Sequence, residues 1–114
     1  MHLQIYDRLC LGDVTTLEFS PSIDLSGFNS LELDVVTFDT SVSGVRVVTV
    51  SMESSNDGQH WEYLTGSGFF ITAVGYQAGT TATPVFASKA RIKLELYNPS
   101  YTALVSVGVN ITNQ

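Results

Sequence analysis

The chain has one cysteine, five lysines and arginines together, and three prolines in 114 residues. No apolar run approaches membrane-spanning length. Each shortage excludes something. A single thiol, Cys10, cannot form an internal disulfide, so folding must rest on a packed core. Cys10 lies between Leu9 and Leu11 in RLCLG. It has no His or Lys neighbour to lower its pKa, and it is expected to be a buried structural thiol. Five basic residues against eleven acidic ones leave a net charge of −6. That balance argues against a nucleic-acid partner, whose phosphates demand Lys and Arg, and against docking on an anionic membrane. Charged residues amount to 14%, against roughly 25% in an average globular protein. Neutral Ser and Thr and apolar atoms must therefore make up much of the surface, which suits it to burial against other copies or partners.

The MHLQIYDRL start has no basic segment leading into an apolar run, so no signal peptide is expected and synthesis in the cytoplasm is. The sequon Asn110-Ile111-Thr112 is discounted on the same ground.

Sequence signals for chemistry are equally sparse. His2 and His60 have neither HxH nor HExxH spacing and no cysteine partners, so no zinc site is expected. Gly66-Ser67-Gly68 is too short a match to a nucleophile turn to imply a hydrolase. There is no glycine-rich phosphate loop, and the eleven carboxylates form no recognisable pair. Asp24, Asp39 and Asp57 fall in expected loops and could in principle serve calcium, but they lack the DxDxDG spacing, and capping of turns is their usual role. The expectation is no catalytic residue, no cofactor and no metal.

What is present is alternation. The stretch Val45 to Tyr63, VRVVTVSMESSNDGQHWEY, reads as two strands around a turn at Ser54 to Gly58. Val45, Val47 and Thr49 point one way and Arg46, Val48, Val50 and Met52 the other, Asn56 and Asp57 tolerate left-handed backbone, and Gly58 accepts positive φ. Trp61 opens the return strand with a ring to bury. Further strands are expected over Met1–Leu11, Val14–Phe19 (Leu17 and Phe19 inward), Leu31–Phe38 and Phe69–Tyr76. Asp39 to Gly44 reads as a hairpin loop, and Ile23, Leu25 and Phe28 as a plug for one end of the core. Pro84 demotes Thr80–Phe86 to an edge strand or linker. Lys89–Tyr97 puts Ala90, Ile92, Leu94 and Leu96 inward and Lys89, Arg91, Lys93 and Tyr97 outward. Thr102–Thr112 is long enough to belong inside a sheet. No window has a helical period. Eight or nine short strands at these turn spacings predict an all-β, antiparallel two-sheet β-sandwich, jelly-roll or Greek-key in connection, as a single domain over residues 1–114.

Ser55-Asn56-Asp57-Gly58-Gln59-His60-Trp61 resembles the S-x-DG-x-x-W hairpin of discoidin-like and galactose-binding-like sandwiches. Ala87 to Leu94 is similar to the Arg-bearing strand that follows it there. With the opening Pro21 to Phe28, the order also resembles small structural β-sandwich proteins encoded among phage head and tail genes. That resemblance implies a non-enzymatic assembly protein, a capsid decoration, cement or tail component incorporated into a virion. Its partners would be other protein subunits, in a homo-oligomer or a capsid or tail lattice. The residues alone add two interaction candidates. Lys89, Arg91 and Lys93, with Tyr97, form a stripe that could meet an acidic patch on a neighbour. Trp61, Tyr63 and Tyr97 could instead stack on sugar rings, which is the alternative reading, a carbohydrate-binding module.

Overall fold

A computed structural model describes residues 2–12, 15–25, 27–65, 67–82 and 87–113, with 78–82 described through their backbone only. Met1, Val14, Gly66 and Pro84, which entered the strand and turn expectations, lie outside the described residues. Ten strands are present among those described: β1 His2–Leu11, β2 Leu17–Phe19, β3 Ile23–Asp24, β4 Ser30–Thr40, β5 Val48–Ser55, β6 Glu62–Tyr63, β7 Phe69–Ile71, β8 Gly75–Ala82, β9 Lys89–Leu96 and β10 Ala103–Thr112. They form an antiparallel β-sandwich. One sheet has four strands in the order β1-β10-β4-β8. The other has six, with β9 and β5 at its centre, β2 and β3 along the far edge of β9, and β6 and β7 along the far edge of β5.

The alternation read from the sequence sets which side chains meet between the sheets. Leu31, Leu33 and Val35 of β4 and Val105, Val107, Val109 and Ile111 of β10 are fully buried. They face Val48, Val50 and Met52 of β5 and Ala90, Ile92 and Leu94 of β9 in one core cluster. Ile23 and Leu25 are buried and Phe28 packs against them, as expected of the plug. β10 pairs with β1 on one side and β4 on the other, so the C-terminal strand does lie inside a sheet.

Four expectations need correction. Leu17 and Phe19 point outward, at 43% and 37% exposure. The half-buried residue between them is Glu18, whose Oε1 lies 3.2 Å from the Tyr6 hydroxyl. Alternation identifies two faces but not which one is covered; the register shows it, pairing Glu18 with the buried Leu94 and Leu17 and Phe19 with the outward Glu95 and Lys93. The Tyr6 hydroxyl, which also reaches Phe19 O at 3.1 Å, gives Glu18 a partner. Cys10 is exposed, because Leu9 and Leu11 take the core side of β1. The loop after β4 is no hairpin, since β4 and β5 belong to different sheets. The expected strand Phe69–Tyr76 is two strands. Phe69–Ile71 pairs with β5, the chain crosses at residues 72–74, and β8 then pairs with β4.

Two buried serines bridge gaps at the six-stranded sheet's edges. Where Pro21 interrupts the β2–β3 edge, the Ser20 hydroxyl accepts a hydrogen bond from Ile92 N at 2.8 Å. Between β6 and β7, the Ser67 hydroxyl accepts from Met52 N at 3.0 Å and donates to Met52 O at 3.3 Å. Ser67 is 0% exposed. It thus stands in for a strand residue toward the Met52 N–H, while Met52 O also accepts from Leu64 N at 2.9 Å.

Leu94→Ala should cost about 2–5 kcal/mol of stability, as expected for an emptied core site. Leu17→Ala should change stability by less than about 0.5 kcal/mol, as expected at the surface. Urea unfolding of the two variants checks the assignment, and equal losses would place Leu17 inside.

Candidate functional site

The register fixes what stands on the outer face of the six-stranded sheet, because directly paired residues of an antiparallel pair share a side. From β9 come Lys89, Arg91, Lys93 and Glu95, opposite Ser55, Glu53, Ser51 and Thr49 of β5. β2 adds Leu17 opposite Glu95 and Phe19 opposite Lys93. β6 adds Tyr63 opposite Glu53, and β7 adds Phe70 opposite Thr49. The face is therefore a sheet of neutral residues studded with aromatic rings and cations.

At its centre stands Arg91. Its Nε donates to Glu53 Oε1 at 2.8 Å across the β5–β9 pair. Its guanidinium carbon lies 4.0 Å from the Phe19 ring centre and 4.4 Å from that of Trp61. The cation is thus held between two aromatic rings and balanced by one carboxylate, and both ion-pair partners are less than a quarter exposed. A second stack repeats the chemistry, with Arg46 Cζ 4.1 Å from the Phe70 ring centre. Arg46 thus stands on the outer face and not on the side of Val48, Val50 and Met52 as expected, because Val47 and Val48 are both buried and the alternation breaks between them. Sequence reading missed Phe19 and Phe70 as partners of the cations, since they meet only through pairing register.

The turn beside this face is built by its own side chains. Ser55 Oγ accepts from Gly58 N at 2.9 Å and donates to Asp57 Oδ1 at 3.0 Å. Asp57 Oδ1 accepts from Gln59 N and His60 N, both at 2.8 Å. Gly58 takes φ 77°, a left-handed conformation that favours glycine. Asn56 Oδ1 accepts from Ser88 N at 3.1 Å, tying the turn to the start of β9. His60 Nδ1 donates to Asp57 Oδ2 at 2.6 Å. These bonds hold the Asp57 carboxyl well below the usual carboxylate range, chiefly through the backbone N–H of His60. Asp57 in turn raises the His60 pKa, first by the side-chain hydrogen bond and then by its charge. The turn borders a hollow of about 250 Å³ lined by residues including Asp57, His60 and Glu62. Tyr6, at the opposite edge, has its pKa pushed up to about 12 by burial and by Glu18.

No protein-family model matches the chain, and no curated protein matches it. Likeness to solved structures lies in the fold. The SPBc2 prophage-derived protein YomS superposes with a TM-score of 0.55 at 7% identity, over 98% of this chain and 92% of that one. The K1 cleaved adhesin domain of Lys-gingipain from Porphyromonas gingivalis W83 gives a TM-score of 0.54 at 15% identity, over 99% of this chain and 73% of that one. The low-affinity xylan binding module CBM86 from Roseburia intestinalis aligns at TM-score 0.42 and 10% identity, over 98% and 95% of the two chains. Identities this low speak to fold alone.

The structure separates the candidate residues into two groups. Lys89, Arg91 and Lys93 do form one row, but the row runs along a central strand, and Arg91 in it is already paired. Trp61 and Tyr63 lie at the Glu53 end of β5, whereas Tyr97 N bonds Val47 O beyond its other end. Six residues of strand separate the two places, about 20 Å, so Tyr97 shares no platform with Trp61. Arg91 lies over the Trp61 ring, and Tyr63 accepts a hydrogen bond from Gly68 N at 3.2 Å. Of the acidic residues considered for calcium, Asp24 and Asp39 lie in strands and not in loops, and Asp57 is engaged within its turn. Among the described residues no group of three or more His, Cys, Asp or Glu is gathered as a metal site would require.

The Asp57–His60 pair predicts a signed pH dependence. His60 has a raised pKa in the folded chain, so its contribution is full below the ordinary histidine value of about 6.5 and is lost as pH rises through the folded pKa. Asp57 has a lowered one, so its contribution is full above about 3.9 and is lost as pH falls through the folded pKa. The hairpin should therefore be most protected between about pH 4 and 6. Proton NMR should show His60 titrating above 6.5, and Asp57→Asn should bring that midpoint down toward the ordinary value.

Proposed function

We propose that this chain is a non-enzymatic assembly protein, a virion component that works by packing the outer face of its six-stranded sheet against protein neighbours. One observation carries the reading. Phe19, Trp61, Tyr63 and Phe70 are gathered with Arg91 and Arg46 on one face of the sheet, although rings this large are ordinarily covered. Tyr63 is 54% exposed and Phe70 39%. Tryptophan, tyrosine and arginine are the residues that dominate protein interfaces, and a preset arginine between rings is a suitable anchor for one. The likeness in fold to a prophage-derived protein supports a phage setting.

A sugar-binding role draws on the exposure of Tyr63 and Tyr97. It is the weaker reading, because stacking needs a free ring face and a shared platform. Arg91 covers one side of Trp61, and Tyr97 stands at the far end of the sheet.

The test is hydroxyl-radical footprinting of the protein alone and with the products of the genes beside its own. Phe19, Trp61, Tyr63 and Phe70 should become protected. Trp61→Ala should weaken the association by about tenfold or more, with the β-sheet circular-dichroism spectrum unchanged. Unaltered reactivity of all four rings in every mixture would count against the reading. Retention of the wild type on a polysaccharide column, lost in Trp61→Ala, would replace it with the sugar alternative.

A further inference from the structure

The two outer faces of the sandwich differ in sign. On the six-stranded face stand Lys89, Arg91, Lys93 and, over Phe70, Arg46, which are four of the chain's five Lys and Arg residues. They outnumber the carboxylates that the register places there, Asp24, Glu53 and Glu95. In a chain of net charge −6 this face is an exception.

The outer face of the four-stranded sheet is the reverse. Leu31, Leu33, Val35 and Thr37 of β4 are buried, so Glu32 and Asp34 take the outer side. Asp39 shares that side, being paired with Leu104, which alternates with the buried Ala103 and Val105. The fifth strong base, Arg8, stacks over Phe38 at 4.4 Å from its ring centre. This face also carries exposed rings, Phe38 and Tyr76, the latter 66% exposed. Gly108 leaves a shallow floor between β1 and β4, over which His2 Nε2 and Asp34 Oδ2 lie 3.4 Å apart.

We propose that the partner of the cationic, aromatic face is the acidic face of a second copy of this chain, so that copies stack head to tail. The inference rests on the docking reading above and adds the occupant and the geometry. Both faces are sheet surfaces. Each presents exposed aromatic rings and few charges, and their charges are opposite in excess, which favours unlike faces over like ones. A front-to-back contact uses two different surfaces, so it leaves one of each unfilled at the ends. It therefore continues into a filament or closes into a ring and does not stop at a pair.

The experiment is a charge swap followed by sedimentation velocity and multi-angle light scattering. One variant carries Lys89→Glu and Lys93→Glu on the front. The other carries Glu32→Lys and Asp39→Lys on the back. Should either pair of changes disturb the circular-dichroism spectrum, Lys93→Glu and Asp39→Lys alone replace them. The wild type should form species larger than a dimer as concentration rises. Raising the ionic strength from about 0.05 to about 0.5 M, which shortens the screening length from above to below 10 Å, should weaken that association about tenfold or more. Each variant alone should be monomeric at concentrations where the wild type assembles. An equal mixture should assemble again, because reversed front then meets reversed back and native front meets native back. Persistence of dimers in the back variant alone would show a two-fold front-to-front contact and overturn the proposal. A wild type that stays monomeric at every concentration would overturn it too. That result would leave the docking face to be judged by its own footprinting with other proteins.

Discussion

The apolar faces of the four-stranded and six-stranded sheets can close on each other only if every second residue of the central strands gives its side chain to the core. That requirement has a second consequence. The intervening residues are committed to the outside in straight rows, with their order set by the chain. Ala90, Ile92, Leu94 and Leu96 go in, so Lys89, Arg91, Lys93 and Glu95 stand out in line. The arrangement of the outer face is thus not separate from the core. Shifting β9 by one residue would bury its cations and expose its aliphatic side chains together.

Few charges are available to cover those outer rows, since they make up 14% of the chain. Aromatic rings therefore share the surface with the cations, and the structure brings the two together. Arg91 lies between Phe19 and Trp61, Arg46 over Phe70, and Arg8 over Phe38. An arginine laid flat on a ring shields apolar carbon from water while keeping its own charge at the surface. Three such arginines, over four rings, give a chain poor in charge a way to keep surface rings partly shielded from water.

How much of this was legible depended on whether a feature was local. β9 and β10 could be read almost to the residue, because their alternation is strict and both are central strands with one buried side. The turn at Asn56-Asp57-Gly58 was equally plain, as its side chains bond the backbone within five residues of one another. The corner between β7 and β8 was not legible. Thr72, Ala73 and Val74 suit a strand as well as a crossing, and only pairing shows that the chain has changed sheet. Leu17 and Phe19 were misassigned because three residues alternate equally well in either sense. Only the pairing with β9 separates the two senses: it sets Glu18 opposite the buried Leu94, where the Tyr6 hydroxyl meets it. The Arg91 stack was invisible for the same reason: Phe19, Glu53, Trp61 and Arg91 come together only through the pairing of three strands.

Within that stack lies a division of labour among the cations. The Arg91 guanidinium is fixed within the chain by two rings and by Glu53. Ordering a long side chain at an interface costs about 0.5–1.5 kcal/mol, and here the fold has already met that cost. Its charge is also balanced within the chain, so covering it leaves no lone buried ion, the arrangement that is most destabilising. Lys89 and Lys93 flank it two residues away on either side, about 13 Å apart along the strand. Lysine keeps a mobile, strongly hydrated ammonium, which attracts an opposite charge from a distance but contributes little once covered. A rigid, neutralised centre between two mobile cations is what an interface needs if its affinity is to come from the rings and its orientation from the lysines. Spreading the same cations over the whole surface would supply neither.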